Sequence, residues 1–331
     1  MDRTIKDTVC PALAPALAKV LAGVPSPLLA RISEIRLRAG QPLQLAADND
    51  DYFVGPDGEV VQAAGGAYIC TVGDLAQTLK LISRNSLYAY EEELRLGYIT
   101  IAGGHRIGLA GQAIVQGGQL IAMKNISAMN IRLAREIRGA ADLVAAYVVN
   151  PPRRVMNTLV ISPPRCGKTT VLRDLTRQLS SGIPRLGFSG VQVGLVDERS
   201  EIAACQDGVP TIDLGPRTDV LDGCPKAVGL FMLIRAMAPG TVITDELGRE
   251  ADAIAVREAL HAGVSVIASV HGRSVSDIAS RPHIGALVGE GRFERFVILS
   301  DRPTAGTVEE ILDGTGSGVL YSRKKGVKVC G

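Results

Sequence analysis

The stretch from Thr158 to Thr170 has residue types and a spacing that suit the binding of nucleotide phosphates. An apolar, β-branched run leads into a tight turn, and Gly167, Lys168 and Thr169 then open a helical pattern. A strand, a loop and a helix in this order place backbone N–H groups around phosphate oxygens at a helix N-terminus. The expected motif is Gly-x4-Gly-Lys-[Ser/Thr], and Ser162 stands where its first Gly would be. The sequence therefore predicts a nucleotide site with one departure from the motif.

The predicted roles in this loop follow from residue type. Lys168 would contact the β- and γ-phosphates, the Thr169 hydroxyl would bind Mg²⁺, and Gly167 would let the backbone approach the phosphates. We therefore expect ATP and Mg²⁺ as the ligands. Cys166 lies near a lysine and a helix N-terminus, which could make its thiol reactive, although a small residue that fills the loop is the simpler interpretation. The full predicted phosphate-binding set is Ser162, Pro163, Pro164, Arg165, Cys166, Gly167, Lys168, Thr169 and Thr170.

Two adjacent carboxylates, Asp245 and Glu246, follow a second short apolar run. In a parallel sheet, ligands lie beyond the carboxyl ends of the strands, so residues at these positions are candidates for chemistry. Asp245 would hold the Mg²⁺ shell, and Glu246 is the best candidate to orient or deprotonate the attacking water. A pair of acids that caps the next helix is the structural alternative.

A third apolar run ends in the acidic segment from Asp197 to Glu201. Glu198 or Glu201 could polarise water or complete the metal shell, or Arg199 could only form salt bridges with its neighbours. His271 ends a fourth apolar run, where it could sense the γ-phosphate through a hydrogen bond or serve a structural one. The residues alone leave these alternatives open.

Several arginines are candidates for stabilising the charge of phosphoryl transfer. An arginine supplied by a neighbouring subunit can accelerate this reaction by about 10³-fold or more, because negative charge spreads over the phosphoryl oxygens. Each candidate alone also fits a solvated or salt-bridged surface position, whereas the set suggests a site completed by a neighbouring domain or subunit. The candidates are Arg132, Arg135, Arg217 and Arg235.

The composition is that of an ordinary globular protein. The 331 residues are 46% apolar and 21% charged, and the formal net charge is +2. This weak charge, 4% aromatic residues and the absence of Trp argue against nucleic acid as a partner. The six cysteines form no Cys-x-x-Cys pair, which argues against a structural zinc site and favours a reducing cytoplasm. No run approaches the roughly 18 apolar residues that span a bilayer, so we expect a cytoplasmic protein.

Two domains must position these residues. Residues 1–150 mix short helices, strands and one longer helix over Thr71–Ser86, which predicts a smaller α+β domain. Residues 151–331 alternate strands and helices, which predicts an α/β P-loop NTPase domain with a parallel, RecA-like sheet, closed by a hairpin over residues 307–322. The segment Asn150–Arg154, with two prolines, is the predicted hinge. The strands of the second domain are predicted at Asn157–Ile161, Val193–Val196, Val242–Thr244, Val264–Val270 and Phe296–Leu299, and its helices at Thr169–Leu179, Lys226–Met237 and Glu250–His261.

The order of these motifs resembles the stage III sporulation protein AA family over nearly the whole chain. The matching segments are Glu34–Pro42, Ser162–Thr170, Val196–Ile202, Gly215–Lys226, Leu233–Pro239, Ile243–Gly248 and Ala268–Gly272. That family is similar to the traffic ATPases of type II and type IV secretion and of pilus assembly. The combination of motifs is specific, whereas the phosphate loop alone is common to many families.

This resemblance implies a cytoplasmic, hexameric ring of two-domain ATPase subunits. The ring would power a secretion-like channel between mother cell and forespore, with membrane proteins of that channel as partners. In this comparison Asp197–Glu201 corresponds to an acidic box, Asp245 and Glu246 to the Walker B region, and His271 to a histidine box. Arg217 and Arg235 would line the nucleotide site or the subunit interface.

Two departures from the family pattern bear on the reaction rate. Many relatives would carry Gly at the position of Arg165, and a left-handed backbone there would cost a non-Gly residue of order 1 kcal/mol. Ser162 should perturb the turn less because its side chain is small. Two alternatives therefore stand beside the ATPase: a nucleotide-gated scaffold with little turnover, and a nucleic-acid-stimulated motor of the same core fold.

Overall fold

The computed structural model describes residues 5–47, 50–61, 63–83, 97–117, 119–134, 136–324 and 327–328. By the packing of its residues the chain divides into two compact units, Met1–Arg135 and Glu136–Gly331. Each unit has its own buried apolar core.

The first unit is built on an antiparallel sheet with the strand order β4-β3-β2-β1-β7-β6-β5. Its helices are α1 (Pro15–Gly23), α2 (Ser26–Leu29) and α3 (Val72–Ile82). Its strands are β1 (Ile32–Arg38), β2 (Gln44–Ala47), β3 (Asp50–Val54), β4 (Val60–Val61), β5 (Tyr98–Ile101), β6 (His105–Gln116) and β7 (Gln119–Arg132). The predicted mixture of strands and helices is present, whereas β3 and β4 were not predicted, and residues 84–86 of the predicted helix lie outside the described residues.

Alternation along the strands gives this sheet one apolar and one polar face. Ile35 and Leu37 of β1 are fully buried in a core that also contains Leu17 and Leu21 of α1. Their neighbours Glu34 and Arg36 point to the other face, because side chains alternate between the two faces along a strand. There Glu34 pairs with Arg36 at 2.6 Å.

The second unit contains the predicted phosphate loop. Its helices are α4 (Asp142–Val148), α5 (Lys168–Ser181), α6 (Lys226–Met237), α7 (Glu250–His261), α8 (Val275–Ala279) and α9 (Ile284–Gly289). Its strands are β8 (Val149–Asn150), β9 (Arg154–Val155), β10 (Thr158–Ser162), β11 (Val193–Asp197), β12 (Cys205–Gln206), β13 (Val209–Pro210), β14 (Thr218–Asp222), β15 (Thr241–Thr244), β16 (Ser265–His271), β17 (Arg295–Ser300), β18 (Thr307–Asp313), β19 (Val319–Ser322) and β20 (Val327–Lys328).

The main sheet of this unit is mixed, with the order β14-β11-β15-β16-β10-β17-β18-β19-β20. The strands from β14 to β17 pair in parallel, and β17 to β20 pair antiparallel, which includes the predicted terminal hairpin. All five residues of β10 and of β11 are buried, as expected for parallel strands covered on both faces. The predicted α/β sheet is thus present, with the predicted strands and helices close to their expected bounds.

The division between the units lies fifteen residues before the boundary predicted after residue 150. The reason is α4, which packs into the core of the second unit through Val144, Ala145 and Val148. The predicted hinge Asn150–Arg154 is therefore a turn inside the second unit, where β8 and β9 pair antiparallel. Apolar packing after the sheet of the first unit, and not the proline pair, places the division.

Candidate nucleotide-binding site

The phosphate loop joins β10 to α5 at the carboxyl edge of the parallel strands. Gly167 precedes the first helical residue and has φ of 80°, a left-handed conformation that Gly adopts without a side-chain clash. A Cβ atom there would lie 2.4 Å from the backbone nitrogen of Gly306, so the loop that follows β17 also requires Gly at this position. The first backbone N–H groups of α5 have no partner within the helix and point toward the loop, as an anion site requires.

Lys168 is folded back over this loop and is 7% exposed. Its ammonium group donates to Ser162 O at 3.2 Å, to Ser162 Oγ at 3.2 Å and to Pro163 O at 3.0 Å. Burial lowers its pKa below the ordinary lysine value, while the carboxylates of Glu246 and Asp245 oppose that shift. Ser162, which replaces the first Gly of the motif, thus supplies an additional acceptor to Lys168.

Lys168 is connected through His271 to Glu246. The Lys168 ammonium lies 3.1 Å from His271 Nδ1, and because an ammonium can only donate, Nδ1 must accept. The proton of a neutral imidazole is then on Nε2, which lies 3.1 Å from Glu246 Oε1. The other oxygen of this carboxylate, Oε2, lies 2.6 Å from Arg199 Nη1. Three neighbouring strands, β15, β16 and β10, therefore bring the predicted base within two contacts of the predicted phosphate lysine.

Asp245 directly precedes Glu246 in the sequence, and its side chain is only 3% exposed. Among the described residues, its Oδ1 atom is buried with no hydrogen-bond partner, and so is the Oγ1 atom of Thr244. Burial raises the pKa of the Asp245 carboxyl to about 7, with a further rise from nearby carboxylates and an opposing effect from Lys226. A buried carboxylate oxygen without a partner is costly unless a cation or another ligand completes it.

The acidic segment Asp197–Glu201 separates into structural and accessible groups. The Asp197 carboxylate accepts three backbone N–H groups, from Glu201 at 2.9 Å, Ile202 at 2.8 Å and Ala203 at 2.7 Å. Its role is to hold the loop that follows β11. Glu198 pairs with the buried ammonium group of Lys226. The backbone carbonyls of Glu201 and Ile202 accept from the buried Arg173.

We expect Asp197→Ala to lower the free energy of unfolding by about 3 kcal/mol, because three backbone N–H groups would lose their acceptor in a buried place. The measurement is the urea midpoint at constant m-value. Asp213→Ala is the matched control, since Asp213 also accepts a backbone N–H, from Gly215 at 3.0 Å, but at the surface. The control should change stability by less than about 0.5 kcal/mol. Equal losses in both variants would contradict the structural role of Asp197.

The remaining loop residues surround the phosphate site without taking part in the chain from Lys168 to Glu246. Arg165 is exposed and has φ of 62°, so the left-handed backbone considered for this position is present. Cys166 is buried, and burial together with Asp301 raises the pKa of its thiol, which argues against a reactive thiolate. Thr169 and Thr170 lie half-buried in the first turn of α5, Pro163 is half-buried, and Pro164 is exposed.

The structure places Arg217 and Arg235 away from the phosphate loop of the same chain. Arg217 precedes β14, at the amino edge of the sheet, and donates to Ser180 O near the C-terminal end of α5. The phosphate loop lies at the other end of this 14-residue helix, roughly 20 Å away at 1.5 Å per residue. Arg235 is exposed in the last turn of α6, close to the ring of Phe231. Their action in a neighbouring subunit stays a prediction.

Of the two arginines proposed at the end of the first domain, the structure describes only Arg132. Arg132 ends β7, and its Nε lies 3.6 Å from Glu34 Oε1 on the polar face of the sheet in the first unit. Arg135 lies outside the described residues.

Residues that sequence reasoning missed are Arg199 as the partner of Glu246, and Lys226. Lys226 is the first residue of α6, where the helix dipole disfavours a cation, yet it is 7% exposed. A lysine directly after Pro225 at a helix start is a sequence signal that could have indicated a functional acidic neighbour. Within the described part of the chain, no group of three or more His, Cys, Asp or Glu residues is arranged to hold a metal ion without further ligands.

Comparison with known proteins decides the family. The family model described as "Sporulation stage III, protein AA" matches residues 3–319. The chain belongs to this family. It is 42% identical over 315 residues to the stage III sporulation protein AA of Bacillus subtilis (strain 168), which covers 95% of this chain and 97% of that protein. The family resemblance inferred from the motifs is thus confirmed.

Two solved structures, of an ATPase and of a pilus retraction motor, share the fold. The X-ray structure of the Legionella pneumophila ATPase DotB superposes with a TM-score of 0.52 at 14% identity, over 86% of this chain and 77% of that chain. The pilus retraction motor PilT with bound ADP superposes with a TM-score of 0.53 at 14% identity, over 81% of this chain and 74% of that chain. The chain thus belongs to the sporulation family and shares the fold of the ATPase DotB and the motor PilT. None of the helices in the described ranges combines the length and hydrophobicity required to cross a membrane.

Proposed function

We propose that this protein binds ATP with Mg²⁺ and hydrolyses it to ADP and phosphate. The observation that carries the proposal is the contact chain from Lys168 through His271 to Glu246. It connects the lysine that follows the phosphate loop with a carboxylate that can accept a proton. The fold of an ordinary strand–helix turn does not require a lysine to be connected to a carboxylate of another strand end in this way.

The residues present fit a magnesium ion. Asp245 offers a buried oxygen without a hydrogen-bond partner in the described structure, and Thr169 offers a hydroxyl in the first turn of α5. Mg²⁺ typically takes one or two protein oxygens together with phosphate oxygens and water, so a larger cluster of acids is not required. Bound there, the ion would neutralise charge on the β- and γ-phosphates. Because protonation of Asp245 competes with the metal, magnesium affinity should fall below about pH 7.

The other residues have distinct roles in hydrolysis. The ammonium group of Lys168 would exchange its contacts with Ser162 and Pro163 for the β- and γ-phosphate oxygens. Glu246 would orient the attacking water and accept its proton while the water oxygen bonds to the γ-phosphorus and the bond to the β–γ bridging oxygen breaks. His271, placed between the two, would report the presence of the γ-phosphate to the base. Glu198 is a weaker candidate for the base because it pairs with the buried Lys226 and is not part of the contact chain from Lys168 to Glu246.

We infer a biological setting from the family. We propose that the protein acts in sporulation as a homo-hexameric, cytoplasmic motor that associates with the membrane through partner membrane proteins. It would energise a secretion-like channel between the mother cell and the forespore. The family membership and the fold shared with the ATPase DotB and the motor PilT support this setting.

We expect purified protein to hydrolyse ATP only when Mg²⁺ is present, with a specific activity that rises steeply with protein concentration. Chelation of Mg²⁺ removes the partner of Asp245, and assembly would bring arginines of neighbouring subunits to the site. The measurement is phosphate release over a range of protein concentrations, with and without EDTA. Clear ATP binding without phosphate release would contradict the motor and favour a nucleotide-gated scaffold.

A nucleotide-gated scaffold with little turnover is the second candidate, and the conformation of Arg165 favours it. A non-Gly residue with φ of 62° in the phosphate loop is strained, and the strain could displace the loop from its best geometry for transfer. A single-turnover assay with excess protein separates the two candidates, because a scaffold would leave bound ATP intact. Stimulation of turnover by added nucleic acid would instead indicate a nucleic-acid motor.

A further inference from the structure

Arg199 contacts the candidate base, although its place in the sequence suggested only a local salt bridge. It follows β11, and its Nη1 atom lies 2.6 Å from Oε2 of Glu246, which follows the neighbouring strand β15. Both side chains are accessible, with 47% of Arg199 and 22% of Glu246 exposed. An exposed ion pair of this kind contributes little to folding, typically below about 1 kcal/mol. Stability alone therefore does not account for the contact.

The backbone on the arginine side of this contact is held in place. The Asp197 carboxylate accepts the N–H groups of Glu201, Ile202 and Ala203, which closes the loop around residues 198–200. Ser200 has φ of 51° and its hydroxyl donates to Asp222 at 2.6 Å. The loop has thus little freedom, and it presents Arg199 toward the end of β15.

The backbone of the glutamate is also held. Glu246 has φ of 41°, an unfavourable conformation for this residue type, and its N–H donates to Ser269 Oγ at 3.0 Å. Its carboxylate is contacted on one side by His271 and on the other by Arg199. With both oxygens engaged, the plane of the carboxylate is set by two side chains from two different strand ends. Loss of either contact would leave it free to rotate about its side-chain torsions.

We propose that Arg199 is a positioning residue for Glu246 in ATP hydrolysis, an inference that rests on the proposed function. Arg199 holds the carboxylate in the orientation in which it can receive the proton of the attacking water. It acts through Glu246 and does not need to contact the nucleotide. A displacement of a catalytic group by about 1 Å can cost about 100-fold in rate, so the orientation of this carboxylate should appear in kcat.

The test compares Arg199→Ala with wild-type protein in steady-state ATP hydrolysis at saturating Mg²⁺. We expect kcat to fall about 10- to 100-fold while KM for ATP changes less than about twofold, because the phosphate contacts of Lys168 are intact. Arg199→Lys should recover part of kcat, since an ammonium can reach one carboxylate oxygen. Arg257→Ala is the matched control: Arg257 pairs with Glu290 at 2.7 Å on the surface, and its loss should leave kcat unchanged.

A second comparison asks whether Arg199 acts through Glu246. In a Glu246→Gln background, adding Arg199→Ala should lower the single-turnover rate by less than about threefold, because the group that Arg199 positions is already gone. Full additivity of the two losses would overturn the proposal. So would an unchanged kcat in Arg199→Ala, or a loss that coincides with a changed assembly size in light scattering at the assay concentration.

Hydrolysis by wild-type protein and by Arg199→Ala together distinguish a wrong role for Arg199 from a wrong proposed function. If wild-type protein hydrolyses ATP and Arg199→Ala does so equally well, Arg199 is not a positioning residue and the ATPase stands. If wild-type protein binds ATP but shows no single turnover, the ATPase itself fails and the role of Arg199 falls with it.

Discussion

Lys168→Ala is expected to lower ATP hydrolysis by at least about 100-fold and to weaken ATP binding strongly. The ammonium group lies directly over the phosphate loop and is already desolvated there. Four acceptors surround it: two carbonyls, a hydroxyl and His271 Nδ1. Phosphate oxygens would replace them at little cost, because the lysine has lost its water before the ligand arrives.

The measurement combines phosphate release with equilibrium binding of a fluorescent ATP analogue. Lys80→Ala is a suitable control, because Lys80 is an exposed lysine in the last turn of α3 and should leave both quantities unchanged. Lys168→Arg tests geometry against charge: a guanidinium keeps the charge but is larger and planar, so we expect it to remain strongly impaired. Substantial hydrolysis by Lys168→Ala would contradict the nucleotide site at this loop.

Glu246→Gln is expected to reduce turnover by about 10²- to 10⁴-fold while ATP binding stays within a few-fold of wild type. The exchange keeps the size of the side chain and the left-handed backbone at this position, so it removes the proton-accepting group with little other change. It also removes the ion pair with Arg199, whereas the amide oxygen can still accept from His271. The stability of the fold should change by less than about 1 kcal/mol, because the lost pair is exposed.

Single-turnover hydrolysis and analogue binding measure the two halves of this expectation. Glu250→Gln is the matched control, since Glu250 is exposed at the start of α7 only four residues further along the chain. Near-normal turnover in Glu246→Gln would reassign the base to the loop after β11. Glu198→Gln and Glu201→Gln would then identify it, and a loss in Glu198→Gln would mean that the Lys226 pair opens on nucleotide binding.

Local patterns predicted most of the second unit because its parallel strands are buried on both faces. Such strands appear as uninterrupted apolar runs, and the helices between them start and end close to Pro, Gly or charged residues. Helices α6 and α7 have the predicted bounds for this reason. β14 was missed because its five residues are all half-buried and mixed in polarity. Its pairing with β11, and not its own composition, makes it a strand.

The sequence by itself determined the phosphate loop, the family and the set of polar residues at the strand ends, because each of these depends on residue type and local order. The tertiary structure decided which of those residues meet. It places Glu246 in contact with His271 and Arg199. It pairs Glu198 with Lys226, and it makes the Asp197 carboxylate an acceptor for backbone N–H groups. It also placed Arg217 at the opposite edge of the sheet. Strand order and parallel register bring these groups together from the ends of different strands, and neither can be read from a local pattern.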